Sequence, residues 1–186
     1  SGWGYWCQAA KAFGFEAYGT EVHAKKVENH KRMNINLFDP ENSSEARFDF
    51  INAEQVFEHL MDPCSVLKNL SSYLKAGAII RISVPNGRFV EKVLKNDKNW
   101  LPSKGPVRRR KSIAPVAPFG HINVFTYYSL TRMAEIAGLR SIRLPVMEYL
   151  KVQRKCTPLP KLFYEAYRHS LSSKTTVLFF QKPQSS

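Results

Sequence analysis

SGWGYWCQAAKAFGFEAYGTEV, residues Ser1 to Val22, decides how the rest of the chain is read. Gly2 and Gly4 precede a run, Tyr5 to Phe13, whose apolar residues fall on one helical face, and Gly14 follows as a helix-ending glycine. The next residues, Phe15 to Val22, are short in span, apolar and aromatic. They predict a buried strand that carries a carboxylate, Glu21, at its C-terminal end. The order of glycine loop, helix, strand and acid belongs to α/β folds, in which ligands bind at the carboxyl ends of the strands. Glycines there let a ligand approach the backbone and the first turn of a helix. Glu21 stands 17 positions after Gly4, close to the ~20 residues that set an acid beside a ribose diol. The combination predicts a nucleoside-containing cofactor, whereas a glycine pair alone is equally a tight turn.

The remaining chain alternates in the same way. His23 to Lys31 predicts a helix and RMNINLF (Arg32 to Phe38) a strand; RFDFINAEQVF (Arg47 to Phe57) predicts the next strand. Val66, Leu67, Leu70, Tyr73 and Leu74 then share a helical face that Gly77 closes. AIIRISVPN (Ala78 to Asn86) is the clearest strand, β-branched and stopped at Pro85. FTYYSLTRMAEIAG predicts a helix capped by Thr126 and ended by Gly138. LRSIRLPV and TTVLFFQKP are further strands, with LFYEAYRH a short helix between them. The expected fold is α/β, a Rossmann-like and mainly parallel sheet with helices on both faces and an antiparallel last strand. It is read as a single domain over 1–186, with the turn-rich basic tract of residues 87–120 as an insertion or lid.

Lys and Arg outnumber Asp and Glu by 28 to 15, a formal charge of +13, which favours acidic partners or simply a solubilising surface. The three cysteines are odd in number and lack CxxC spacing, and no His/Asp cluster points to a metal. No run is apolar enough for a membrane span, so a soluble, cytoplasmic protein is the simplest reading.

Five segments carry a resemblance to class I S-adenosylmethionine-dependent methyltransferases of the small-molecule type: SGWG, GTEV, FDFINAEQVFEHLMDP, LKAGAIIRISVPN and HINVFTYYSLTRMAEIAGL. Each motif is degenerate, but their order and separations match. The resemblance implies S-adenosylmethionine as cofactor. The loop Ser1, Gly2, Trp3 and Gly4 would face its methionine part, Glu21 and Val22 the ribose hydroxyls, and Asn36 and Leu37 the adenine. Ala53, Glu54 and Gln55 would lie near the amino acid end and the methyl group. Family members often carry an aspartate where Asn36 stands; an amide can also bond an adenine edge. The family also places a central strand before the glycine loop. The expectation is therefore that this sequence belongs to a longer chain, or that a second copy in a homodimer donates the strand.

On the acceptor side, His121 and His59 are the catalytic candidates, a histidine being suited to take a proton near neutrality. Each is equally a hydrogen-bonding residue, and Glu58 with His59 can simply cap the loop. Asn86, Arg108 and Arg109 are candidates for binding the acceptor, the arginines suiting an anionic group; a solvated loop is the alternative for them. An NPPY-like motif is absent, so nucleic acid is less favoured than a small molecule. The leading expectation is methyl transfer to a small acceptor, anionic or neutral. Its rivals are a degenerate module that binds nucleic acid or a protein partner through its basic surface, and a nicotinamide-dependent dehydrogenase.

Overall fold

The β-branched run from Ile79 to Val84 lies within β4 (Leu74–Pro85) in the computed structural model, which describes residues 1–40, 48–88, 90, 120–143 and 175–184. Alternate residues of this strand, Ile80, Ile82 and Val84, are fully buried, the period that a pleated strand imposes. β4 pairs in parallel with β3 (Phe48–Glu54), setting Ile51 opposite Ile80 and Ala53 opposite Ile82. On its other side it pairs antiparallel with β6 (Thr175–Gln181), with Phe180 opposite Ile80. β5 (Arg140–Ile142) completes the sheet against β6, in the order β3-β4-β6-β5. The last strand is therefore antiparallel to β4, as expected.

Two helices cover this sheet's core. α3 (Pro63–Tyr73) starts where the Asp62 carboxylate accepts the Ser65 amide at 3.0 Å and Pro63 occupies the first turn. It buries Leu67. Gly77 does not close this helix: the chain turns extended at Leu74, and Gly77 (φ 78°) lies inside β4, its amide donating to the Lys182 carbonyl at 2.9 Å. α4 (Tyr127–Ile136) is set by a reciprocal cap between Thr126 and Ser129 and turns Leu130, Met133 and Ala134 inward. Gly138 (φ 75°) follows its end, as expected. Phe57, Leu67, Leu130 and Phe180 meet the β4 isoleucines in one core.

The chain divides into two compact units, Ser1–Ala46 and Arg47–Ser186. The first holds α1 (Tyr5–Ala12), β1 (Tyr18–Gly19), α2 (Ala24–Arg32) and β2 (Asn36–Leu37) around a small core of Cys7, Ala17 and Ile35. Both strands are much shorter than their apolar runs predict. The ladder is two residue pairs long, Tyr18 with Asn36 and Gly19 with Leu37, running parallel. The basic tract from residue 91 to 119 and the LFYEAYRH segment lie outside the described residues.

Phe180 is fully buried, so Phe180→Ala should lower stability by about 3–5 kcal/mol. Thr126→Ala, which removes a helix cap, should cost about 1 kcal/mol. Urea unfolding followed by circular dichroism measures both, and equal losses would contradict the core assignment.

Candidate active site

In the first unit the glycine loop is built by contact with α2. Gly2 (φ 60°) and Gly4 (φ 88°) both take the left-handed conformation, but for different surroundings. A Cβ at Gly4 would stand 2.5 Å from Ile35 Cδ1 and 2.8 Å from His30 Cδ2, so close packing on the unit's own core requires this glycine. A Cβ at Gly2 would meet nothing within 4 Å, which leaves that face of the loop open. His30 is fully buried, with Nε2 3.1 Å from the Gly2 carbonyl and 3.3 Å from Ser1 Oγ. A carbonyl only accepts, so Nε2 carries the proton in that bond. The Asn29 amide donates to the Trp3 carbonyl at 2.8 Å. Sequence reasoning missed Asn29 and His30, because α2 reads as an ordinary polar helix.

Glu21 follows β1, as expected for an acid at a strand's end, and its side chain is only 9% exposed. One carboxylate oxygen accepts the amides of Val22 and His23, each at 3.1 Å. Burial pushes this carboxyl up, but the His23 amide, Lys26 and the Val22 amide favour its ionised form, and its pKa lies below the ordinary glutamate value. Val22 itself is exposed, as are Trp3 and Leu37; Asn36 and Leu37 pair with β1.

In the second unit, β3 delivers Ala53, Glu54 and Gln55 to its carboxyl end. Ala53 is buried, and Glu54 lies 3.4 Å from Arg81 Nη1, which also donates to Asn52 at 2.7 Å. Gln55 is a non-glycine residue at φ 51°, held there by its amide on the Ser83 carbonyl at 2.8 Å and its side chain on Ser83 Oγ at 3.3 Å. Such strain concentrates at functional sites. It bends the chain into a 3₁₀ turn, Phe57–His59.

That turn meets the segment that returns at His121. The amides of Ile122 and Asn123 both donate to the Glu58 carbonyl, at 2.9 and 3.1 Å. The Asn123 side-chain amide donates to the carbonyls of Leu60 at 2.6 Å and Phe57 at 3.3 Å. Farther along, Asn86 and Phe125 form a parallel bridge, and the Gly87 amide donates to the Phe125 carbonyl at 2.9 Å. A Cβ at Gly87 would stand 2.6 Å from that carbonyl oxygen, so the approach needs glycine. The Asn86 side chain accepts the Arg88 amide at 3.0 Å. As a result the rings of His59 and His121 lie 5.0 Å apart, edge to face, beside the buried Glu58 carboxylate. The structure thus brings the two catalytic candidates together, with Glu58 beside them and Asn123 fixing the turn. Arg108 and Arg109 lie outside the described residues.

A family model described as a methyltransferase domain matches residues 1–144. Among solved structures, an S-adenosylmethionine-dependent methyltransferase from Mesorhizobium loti superposes with a TM-score of 0.61 at 14% identity, covering 97% of this chain and 87% of that one. A SAM-dependent methyltransferase from Archaeoglobus fulgidus gives 0.57 at 14% identity, with 97% and 82% covered. The [4+2]-cyclase SpnF gives 0.60 at 12% identity, with 99% and 73% covered, a different reaction on a similar fold. No curated protein matches the chain.

The depressed Glu21 pKa has a consequence for acid stability. A carboxyl whose folded pKa lies below its unfolded one contributes stability above the unfolded value, and loses it as pH falls through the folded value. Glu21→Gln should therefore flatten the acid limb of the unfolding midpoint plotted against pH, starting at the ordinary glutamate range and extending below it. Parallel acid limbs for the variant and the parent would contradict the ionised, hydrogen-bonded carboxylate.

Proposed function

The chain belongs to the class I S-adenosylmethionine-dependent methyltransferases, with S-adenosylmethionine as cofactor, and from that premise we propose that it methylates a small acceptor. The observation that carries the reading is Glu21, a carboxylate kept ionised and nearly buried just past the end of β1. One oxygen accepts its neighbours' amides, and the second, 3.6 Å from the Ser1 nitrogen, is the one proposed to take a ribose diol. The open face of Gly2 fits a ligand lying against the loop backbone. These residues are therefore chemically suited to the cofactor, with Glu21 binding the ribose and the Ser1–Gly4 backbone the methionine part. Asn36 and Leu37 on β2 are proposed for the adenine.

The cofactor supplies a sulfonium-bound methyl, so the protein is left to align the acceptor and favour loss of its proton. We assign that second task to the Glu58, His59 and His121 cluster at the carboxyl end of β3. Asn86, Arg108 and Arg109 are proposed to hold the acceptor, with Arg108 and Arg109 favouring an anionic group.

Calorimetry with S-adenosylhomocysteine tests the cofactor assignment. Glu21→Ala should weaken binding by about 1.5–3 kcal/mol, the range for a hydrogen bond to a charged group. No binding by the folded chain would remove the transferase reading and favour a module that binds nucleic acid or protein through its basic surface. On the acceptor side, extracts incubated with radiolabelled cofactor would reveal a substrate. His121→Ala should then lower turnover with cofactor affinity unchanged, and Arg108→Ala with Arg109→Ala should weaken acceptor binding and its salt dependence. Unchanged turnover in the His121 variant would remove that cluster from the chemistry.

A further inference from the structure

Glu58 is 1% exposed, and neither of its carboxylate oxygens has a hydrogen-bond partner among the described residues. Burying a carboxylate without a donor is costly, and buried charges are normally paired or coordinate a metal. The nearest cationic candidate does not remove the difficulty. His59 Nδ1 lies 2.6 Å from the Gly120 carbonyl, which can only accept, so Nδ1 carries a proton. His59 Nε2 stands 3.9 Å from Glu58 Oε1, beyond hydrogen-bond range, so the carboxylate oxygens keep no donor among the described residues. A histidine whose other nitrogen donates to a backbone carbonyl is also the common outer-shell arrangement of a metal ligand.

His121 completes the set. One donor atom each from Glu58, His59 and His121 lies within 4.8 Å of the others. Around an ion with bonds of ~2.0–2.2 Å, donor atoms stand roughly 3–4 Å apart, so modest rotation of the two imidazoles closes the set. We propose that Glu58, His59 and His121 form a binding site for a divalent first-row transition metal ion, of which zinc is the first choice for two imidazoles and a carboxylate. Three protein ligands leave coordination positions open, which suits an oxygen atom of a methyl acceptor and its loss of a proton to water. That role rests on the proposed function; ion binding itself does not.

The site was not legible as a motif, because its ligands come from two segments separated by α3 and β4. What assembles it is the pair of amides from Ile122 and Asn123 on the Glu58 carbonyl. The exposed Cys64 offers a thiolate donor outside this set, so it serves as the control.

The experiment is to strip the full chain with a chelator and dialyse it against Zn²⁺, Co²⁺ or Mn²⁺. Bound metal is counted by atomic emission, and the visible absorption of the Co²⁺ form reports its ligands. The expected result is about one ion per chain with Co²⁺ d–d bands. Affinity should fall by at least roughly tenfold in Glu58→Gln and in His121→Ala, and remain in Cys64→Ser. Circular dichroism establishes that each variant is folded; Glu58→Gln preserves shape, and His121 is only half-buried. Failure of the folded chain to bind any of the three ions overturns the proposal. So does binding that survives both ligand variants, or that is lost in Cys64→Ser instead. Metal binding without any S-adenosylhomocysteine binding would sustain the site while removing the transferase reading.

Discussion

The second unit's site depends on a few hydrogen bonds from one short segment. Ile122 and Asn123 place their amides on the Glu58 carbonyl, and the Asn123 side chain spans the carbonyls of Leu60 and Phe57. A 3₁₀ turn leaves backbone acceptors unsatisfied at its end, and these donors meet that need. Fixing the turn in this way has a chemical consequence. It holds the Glu58 side chain in the interior and leaves His59 at its edge, and it sets His121, the residue just before the clamp, against both.

The strained backbone upstream belongs to the same arrangement. β3 ends at Glu54, and Gln55 bends the chain through a left-handed conformation stabilised by the Ser83 carbonyl and hydroxyl of the neighbouring strand. β4 thus acts twice. It anchors the core through Ile80, Ile82 and Val84, and its polar end supplies the groups that turn β3 toward the site. At its carboxyl end the Asn86–Phe125 bridge and the close approach at Gly87 direct the returning segment along the same rim. Stability and site geometry therefore come from the same strand, and a change at Ser83 would disturb both.

The first unit applies a different solution. Its short parallel ladder and small core contribute little burial, and the loop is instead fastened by polar groups of α2. His30 and Asn29 take the carbonyls of Gly2 and Trp3, so the loop's carbonyls turn toward the helix. The side of Gly2 that a Cβ would occupy stays open. Glycine at position 4 serves internal packing rather than ligand approach, which divides between two residues a role that the sequence pattern attributes to both.

Much of the fold was legible because it follows from local periodicity. The β-branched strand from Ala78 to Pro85, the Thr126 cap and the glycine past α4 are short-range signals, and each is found where it was expected. The antiparallel last strand also followed from the lack of a long crossover helix before it. Strand lengths in the first unit did not, since an apolar run such as Phe15 to Val22 sets a propensity, whereas a ladder needs a partner in register along its length. The same limit applies to the site. As candidates, Glu21 was readable from its distance to the glycine loop, and His59 and His121 from their motifs. That Glu58 is buried without a donor, and that His30 grips the loop, depends on which groups approach across distant segments. Local sequence governs backbone preference; only the folded arrangement decides which polar atoms lose water and what replaces it.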